Sequence, residues 1–310
     1  MTTAWLFPGQ GTQHVGMGRS LCASSAAARR VFEQADSALG WSLSKLCFEG
    51  PEEELTRTAN AQPAIVTASI AALAALEEAI PNLPRPAFAA GHSLGEYSAL
   101  VAAGALGFAD AVRLVHIRGR AMQQAVPEGD GGMAAIMGGD AEAVQALCRE
   151  AAEGDVLSPA NYNAPGQIVI AGSSAAVARA SRMAPDRKLK AILLKVSAPF
   201  HCSLMAPAAE AVRAALVSVR IEPPAFPVVS NVEAAPNAER DKIAALLVRQ
   251  IAAPVLWEQT IRSMADAGAD TALEIGPGKV LAGLCRRIDK RITVTSLGDS
   301  ETISAFAGAG

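Results

Sequence analysis

Aromatic residues are scarce in this chain: eight Phe, three Trp and two Tyr make up 4% of its 310 positions. Its core must therefore be mostly aliphatic and Ala-rich, a composition that favours closely packed helices around a sheet. A basic excess is missing as well. The formal net charge of -3 leaves nothing to neutralise a phosphate backbone, so nucleic acid is excluded as a partner. Metal-type cysteine spacing is also absent. Cys22, Cys47, Cys148, Cys202 and Cys285 are odd in number and include no C-x-x-C pair. The N-terminus carries no basic segment followed by an apolar one, so reduced thiols in a cytoplasmic protein are expected. The most apolar helix-like stretch, Ile65 to Leu76, runs into Glu77 and Glu78. It is shorter than a bilayer crossing requires, and no membrane association is expected. What remains is a chain that is 51% hydrophobic and 18% charged. It is long enough for one large domain or a domain with a smaller companion.

Short apolar runs alternate with helical periodicity along the chain. Ala4 to Phe7, closed by Pro8-Gly9, reads as a first strand. Helical patterns cover about Ser24 to Leu39 and Gln62 to Ala79, and prolines at 81, 84 and 86 end the second. Ala87 to Ala90 reads as a buried strand, with helices running on from the following turn to about Ala105 and from Phe108 to Ala125. The pattern changes at the loop 127–132. Strand Met133–Met137, helix Ala141–Ala152, strands Val156–Asn161 and Gln167–Ala171, helix Ser174–Met183 and strand Ala191–Val196 follow. That βαββαβ order is the ferredoxin-like arrangement. The expected fold is therefore α/β: a hydrolase-like core with a mainly parallel sheet, formed by residues 1–126 and 199–310, plus an inserted ferredoxin-like α+β subdomain at 127–198. Phe226–Ser230 and Thr271–Ile275 read as further strands of the core.

Gly91-His92-Ser93-Leu94-Gly95 fits the G-x-S-x-G nucleophile elbow. Such a turn between strand and helix needs glycines where a Cβ would clash, and it exposes the serine oxygen at a helix N-terminus. An ordinary glycine-rich turn has the same five-residue pattern; the buried strand before it and the helix after it favour the elbow. A serine needs a base, and the chain holds four histidines, His14, His92, His116 and His201. His92 points away on a tight turn, His116 lies within an apolar helix, and His14 sits in the first loop. His201 follows an apolar strand at a loop position suited to presenting a side chain, and it is the preferred base by elimination. Acyl transfer also needs oxyanion donors. The N–H of Leu94 is one, and the Gly9-Gln10-Gly11 loop could supply the other. Neither that loop nor Gly276-Pro-Gly-Lys279 meets a nucleotide-binding pattern. Helix geometry sends Arg118 and Arg120 to different sides, so at most one faces a cleft. A buried guanidinium needs a partner, either an internal carboxylate, which the residues alone slightly favour, or a substrate carboxylate.

At this point the chain resembles the malonyl-CoA:acyl carrier protein transacylases of fatty-acid synthesis. The resemblance rests on several segments in the same order: Phe7–Gln13, Gly91–Tyr97, Arg118–Met122, Asn163–Gln167, Phe200–Cys202, Val248–Gln250 and Glu274–Gly278. It implies Ser93 as nucleophile and His201 as base, with the main-chain carbonyl of Gln250 orienting the imidazole. It assigns the oxyanion hole to the N–H groups of Gln10 and Leu94, and makes Arg118 the partner of a malonyl carboxylate. Asn161, Asn163 and Gln167 lie where this family lines its cleft. Phe200 departs from common bacterial members and resembles the malonyl-selective acyltransferase domains of polyketide synthases.

The implied reaction is ping-pong through a Ser93 ester, with malonyl-CoA and an acyl carrier protein as partners. No metal or cofactor is expected, and a monomer is. A free-standing acyltransferase serving a polyketide assembly line shares this chemistry. A serine esterase or thioesterase is disfavoured by the missing triad acid and by Arg118. A non-catalytic scaffold is disfavoured by the presence of both Ser93 and His201.

Overall fold

The computed structural model describes residues 2–308. Its strands are β1 (Thr3–Phe7), β2 (Phe88–Gly91), β3 (Gly131–Met137), β4 (Leu157–Ala164), β5 (Gln167–Ser173), β6 (Lys190–Leu193), β7 (Val228–Val229), β8 (Pro236–Asn237), β9 (Thr271–Ile275) and β10 (Thr293–Leu297). A six-stranded sheet runs in the order β10-β9-β1-β2-β7-β8. All its pairings are parallel except the short β7–β8 pair. β3 to β6 form a separate antiparallel sheet of four strands, ordered β4-β5-β3-β6. The chain is thus α/β with a mainly parallel sheet and a second, antiparallel one, as the pattern of runs implied.

Period-2 alternation along β1 shows why the larger sheet is covered on both faces. Trp5 and Phe7 enter one core with the helices Thr58–Ala79 and Phe108–Gln124. Ala4 and Leu6 enter another with Trp257, Ile261 and Leu281 from the helices Trp257–Asp266 and Val280–Ile288. The antiparallel sheet divides itself likewise. Ala134 and Ile136 of β3 pack on the helices Ala141–Ala152 and Ser174–Met183. Met133 and Ala135, from the other face, join the core of the larger sheet.

Three expectations need correction. The apolar stretch at Ile65–Leu76 belongs to a helix of 22 residues, Thr58–Ala79, whose most apolar 18-residue window has a mean hydropathy of 1.4. By length and composition this helix could cross a membrane, but 83% of its most apolar window is buried inside the molecule. It starts earlier than its periodicity suggested because Pro63 is tolerated within it. Proline offers no N–H to the carbonyl four residues back, and that carbonyl, on Ala59, instead meets His116 Nδ1 at 3.0 Å. Second, the strand expected at Phe226–Ser230 shrinks to the two residues of β7. Third, β6 ends at Leu193; Leu194 N still donates to Met133 O of β3, and residues 194–196 line the cleft described below instead of extending the strand.

Candidate active site

The C-terminal ends of β1 and β2 lie side by side, with Phe7 paired to Gly91. Clefts at this end of a parallel sheet are the usual ligand sites of such folds. After β2 the chain turns sharply into the helix Gly95–Ala102. A Cβ on Gly91 would fall 1.8 Å from the Gly95 carbonyl carbon, and one on Gly95 would fall 2.1 Å from the Phe7 oxygen. Only glycine fits either position. Ser93, at the apex, has φ 50°, a left-handed conformation that a non-glycine residue holds only under constraint. Asn231 supplies part of that constraint. Its Oδ1 accepts from Ser93 N at 2.6 Å and its Nδ2 donates to Gly91 O at 2.7 Å.

Ser93 Oγ lies 2.7 Å from His201 Nε2. The other ring nitrogen, Nδ1, donates to the Gln250 main-chain oxygen at 2.9 Å. With that proton placed on Nδ1, Nε2 is free to accept from the serine hydroxyl. Burial, reinforced by the neighbouring Arg118 charge, pushes the His201 pKa down to about 3. The imidazole is therefore neutral at physiological pH, the state in which it can take a proton.

Arg118 is 1% exposed. Its guanidinium donates to Gln62 Oε1 at 2.9 Å, to Gln250 Oε1 at 3.0 Å and to Ser93 Oγ at 3.1 Å, and it lies over the Tyr97 ring at 5.5 Å. These acceptors are all neutral, and Nε is buried with no partner. The internal salt bridge that the residues alone slightly favoured is absent among the described residues. Burial also disfavours the charged form and lowers the Arg118 pKa. Arg120, two positions on, is exposed.

A cleft of about 560 Å³ opens over these groups. Gln10, Phe200, Asn161 and Asn163 line it beside Ser93, Arg118 and His201. Neither the Gln10 N–H nor the Leu94 N–H has an acceptor among the described residues, so both are free to donate. Gln10 itself is held by its side chain, which donates to Thr58 Oγ1 at 3.2 Å; that hydroxyl in turn lies 2.8 Å from Ser197 Oγ. Gln167 does not reach the cleft: its side chain turns outward and accepts from Arg287. Among the other histidines, His92 bonds Asn163 Oδ1 at 2.8 Å and packs its ring edge-on against Trp257. His14 is exposed and lines a different depression. Gln62, Glu96 and Asn231 were not anticipated from the sequence. Each is buried and held in this network. No three His, Cys, Asp or Glu side chains among the described residues cluster as metal ligands would.

A serine oxygen on an elbow, a neutral histidine against it and free N–H groups nearby define the architecture of serine-dependent acyl chemistry on a mainly parallel α/β sheet. Comparison with known proteins narrows that class. Residues 4–296 match the acyl transferase domain family. The malonyl CoA-acyl carrier protein transacylase of Bacillus subtilis is 49% identical over 302 residues, covering 97% of this chain and 94% of the relative. The crystal structure of an acyl-carrier-protein S-malonyltransferase from Bartonella henselae is 45% identical, with a TM-score of 0.96 over 100% of this chain and 99% of that one. A malonyl-transacylase in complex with its type II PKS acyl-carrier protein is 41% identical, with a TM-score of 0.96 over the whole of both chains. The chain belongs to the malonyl CoA-acyl carrier protein transacylase family of acyltransferases.

Proposed function

We propose that the protein transfers a malonyl group from malonyl-CoA to the phosphopantetheine thiol of an acyl carrier protein, in two steps through an ester on Ser93. The observation that carries this reading is Arg118: a buried guanidinium bonded only to neutral oxygens, 3.1 Å from Ser93 Oγ. A buried cation with no carboxylate bonded to it is costly, and a bidentate carboxylate on the acyl group supplies one next to the reacting oxygen. Malonyl carries such a carboxylate and acetyl does not. In the first step His201 Nε2 takes the Ser93 proton as Oγ attacks the thioester carbonyl. The N–H groups of Gln10 and Leu94 receive the oxyanion, and the coenzyme A thiolate leaves with the proton from His201. In the second step the carrier thiol gives its proton to His201 and attacks the ester, which restores Ser93. The Gln250 main-chain oxygen takes the place of a triad carboxylate by holding the imidazole tautomer.

The same reading treats residues 127–198 as an inserted subdomain covering the cleft, supported by their separate antiparallel sheet. It treats the protein as cytoplasmic, because its relatives act on coenzyme A thioesters. Phe200 in the cleft and the 41%-identical relative bound to its polyketide carrier favour a second reading, in which the carrier belongs to a polyketide system. One experiment addresses both. Protein mixed with malonyl-CoA alone should gain one malonyl mass on the peptide containing Ser93, and Ser93→Ala should gain none. Adding fatty-acid or polyketide carriers should then remove the label, faster for the cognate one. Label on Cys202 instead of Ser93 would sink the reading.

A further inference from the structure

Glu96 lies within the Gly91–Tyr97 segment, yet none of the steps above uses it. It is 3% exposed and occupies the first turn of the helix Gly95–Ala102. No arginine or lysine is paired with it among the described residues. Its Oε2 accepts two hydrogen bonds, from Asn231 N at 3.1 Å and from Gln250 Nε2 at 2.7 Å. A buried carboxylate that only filled space could be replaced by an apolar residue at no cost to the fold. The partners of this one show what it does.

A primary amide carries its donor and its acceptor on opposite branches, so fixing one fixes the other. Gln250 Nε2 is held by Glu96 Oε2 and by Ser93 O, the latter at 2.9 Å. Oε1 is thereby turned toward Arg118, which donates to it at 3.0 Å through the same nitrogen that reaches Ser93 Oγ. Rotating the amide by half a turn would set Oε1 against two acceptors and the NH2 group against the guanidinium. Glu96 Oε2 is the side-chain member of the acceptor pair that forbids this. The chain of contacts Glu96–Gln250–Arg118–Ser93 thus connects a residue that does not line the cleft to the guanidinium's placement.

We propose that Glu96 is a positioning residue: by anchoring the Gln250 amide it sets the aim of Arg118, and with it the preference for acyl groups that carry a carboxylate. The proposal rests on the reading of Arg118 as the partner of that carboxylate. Glu96 touches no reacting atom; it reaches Arg118 through Gln250, while its second bond, from Asn231 N, leads to the elbow.

The test compares kcat and KM for malonyl-CoA and acetyl-CoA in the full chain and in Glu96→Met, Glu96→Asp and Glu96→Gln, with Arg118→Ala as reference. Met removes the acceptor at similar volume. Asp keeps the charge but withdraws it by one methylene. Gln keeps an oxygen at the same reach. The malonyl-to-acetyl ratio of kcat/KM should fall about 10- to 100-fold in Met and Asp, mainly through KM for malonyl-CoA. Gln should hold the ratio within about threefold of the wild type. Where Met does not fold, Asp and Gln decide the matter. Equal losses for both substrates, or a wild-type ratio in Asp, would overturn the proposal. If Arg118→Ala collapses the ratio while Met and Asp do not, the proposal alone fails. If Arg118→Ala leaves the ratio untouched, the reading of Arg118 fails and this proposal falls with it.

Discussion

Ser93 Oγ and His201 Nε2 stand 2.7 Å apart, and both residues hold left-handed backbones, with φ of 50° and 61°. Each such conformation costs on the order of 1–3 kcal/mol outside glycine. The fold spends that strain on bringing one hydroxyl and one imidazole together. His201→Ala removes the proposed base and leaves the free N–H groups of Gln10 and Leu94 in place. Acylation of Ser93 by malonyl-CoA should slow by ~100- to 10,000-fold, measured as single-turnover label incorporation. A rate close to that of the wild type would place the base elsewhere.

Asn231 should matter for stability as much as for rate. Its side chain is the partner of both Ser93 N and Gly91 O, and it is fully buried. Asn231→Ala leaves a buried donor and a buried acceptor unpaired, which should cost roughly 2–4 kcal/mol. Asn231→Asp keeps the acceptor for Ser93 N but sets a buried carboxyl against Gly91 O and close to Glu96, so its loss should be at least as large as that of Asn231→Ala. The midpoint of denaturant unfolding measures both. A midpoint unchanged in Asn231→Ala would mean that the elbow supports its own strain.

The elbow and the inserted sheet were legible in the sequence for local reasons. Gly91 and Gly95 flank a serine between an apolar run and a helix, and the two helices 141–152 and 174–183 carry clear periodicity, so the observed helices start and end where they were expected. β10 was not read as a strand because Thr293–Leu297 is largely polar and only partly buried on this edge of the sheet. Within the site, His201 could be reached by elimination among four histidines. Gln62, Asn231 and Glu96 could not. Asn231 lies 138 positions from the Ser93 it braces, and a neutral amide has no periodicity or spacing to give it away. The role of Gln250 lies partly in its main-chain oxygen, which every residue possesses. Only the resemblance to a family, not the residue itself, drew notice to that position.

Arg118 and Arg120 make a pair of unequal tests on one helix. Arg118→Ala removes a buried guanidinium that faces Ser93; Arg120→Ala removes an exposed one. Malonyl transfer in Arg118→Ala should lose about 3–5 kcal/mol of transition-state binding. Acetyl transfer should lose much less or gain, because no charge is left without a partner when a neutral acyl group is bound. Arg118→Lys should recover only part of the preference, since a point charge cannot form two parallel hydrogen bonds. Arg120→Ala should change neither substrate much. The measurement is kcat/KM for both thioesters. Equal slowing of the two in Arg118→Ala would make Arg118 a structural residue.

Glu96 gives a prediction about pH. Burial pushes its carboxyl up to about 7, above the ordinary carboxylate range, against the opposing hydrogen bonds from Gln250 and Asn231. A group whose folded pKa is raised binds more protons in the folded state than in the unfolded one between its unfolded and folded values. Its contribution to stability is therefore full below about pH 4.5, falls as pH rises through 7, and levels off above. His201 works in the opposite sense: its folded pKa is lowered to about 3, so its contribution grows as pH rises toward 6.5 and is then complete. Comparing Glu96→Gln with the wild type at each pH cancels the histidine and isolates the carboxyl. Gln cannot ionise, so the difference in unfolding free energy should move in favour of the variant by roughly 2–3 kcal/mol between pH 5 and 8. Urea midpoints in a series of buffers at constant ionic strength would measure it. A difference that stays constant across that range would mean that Glu96 titrates near its ordinary value and that its surroundings admit water.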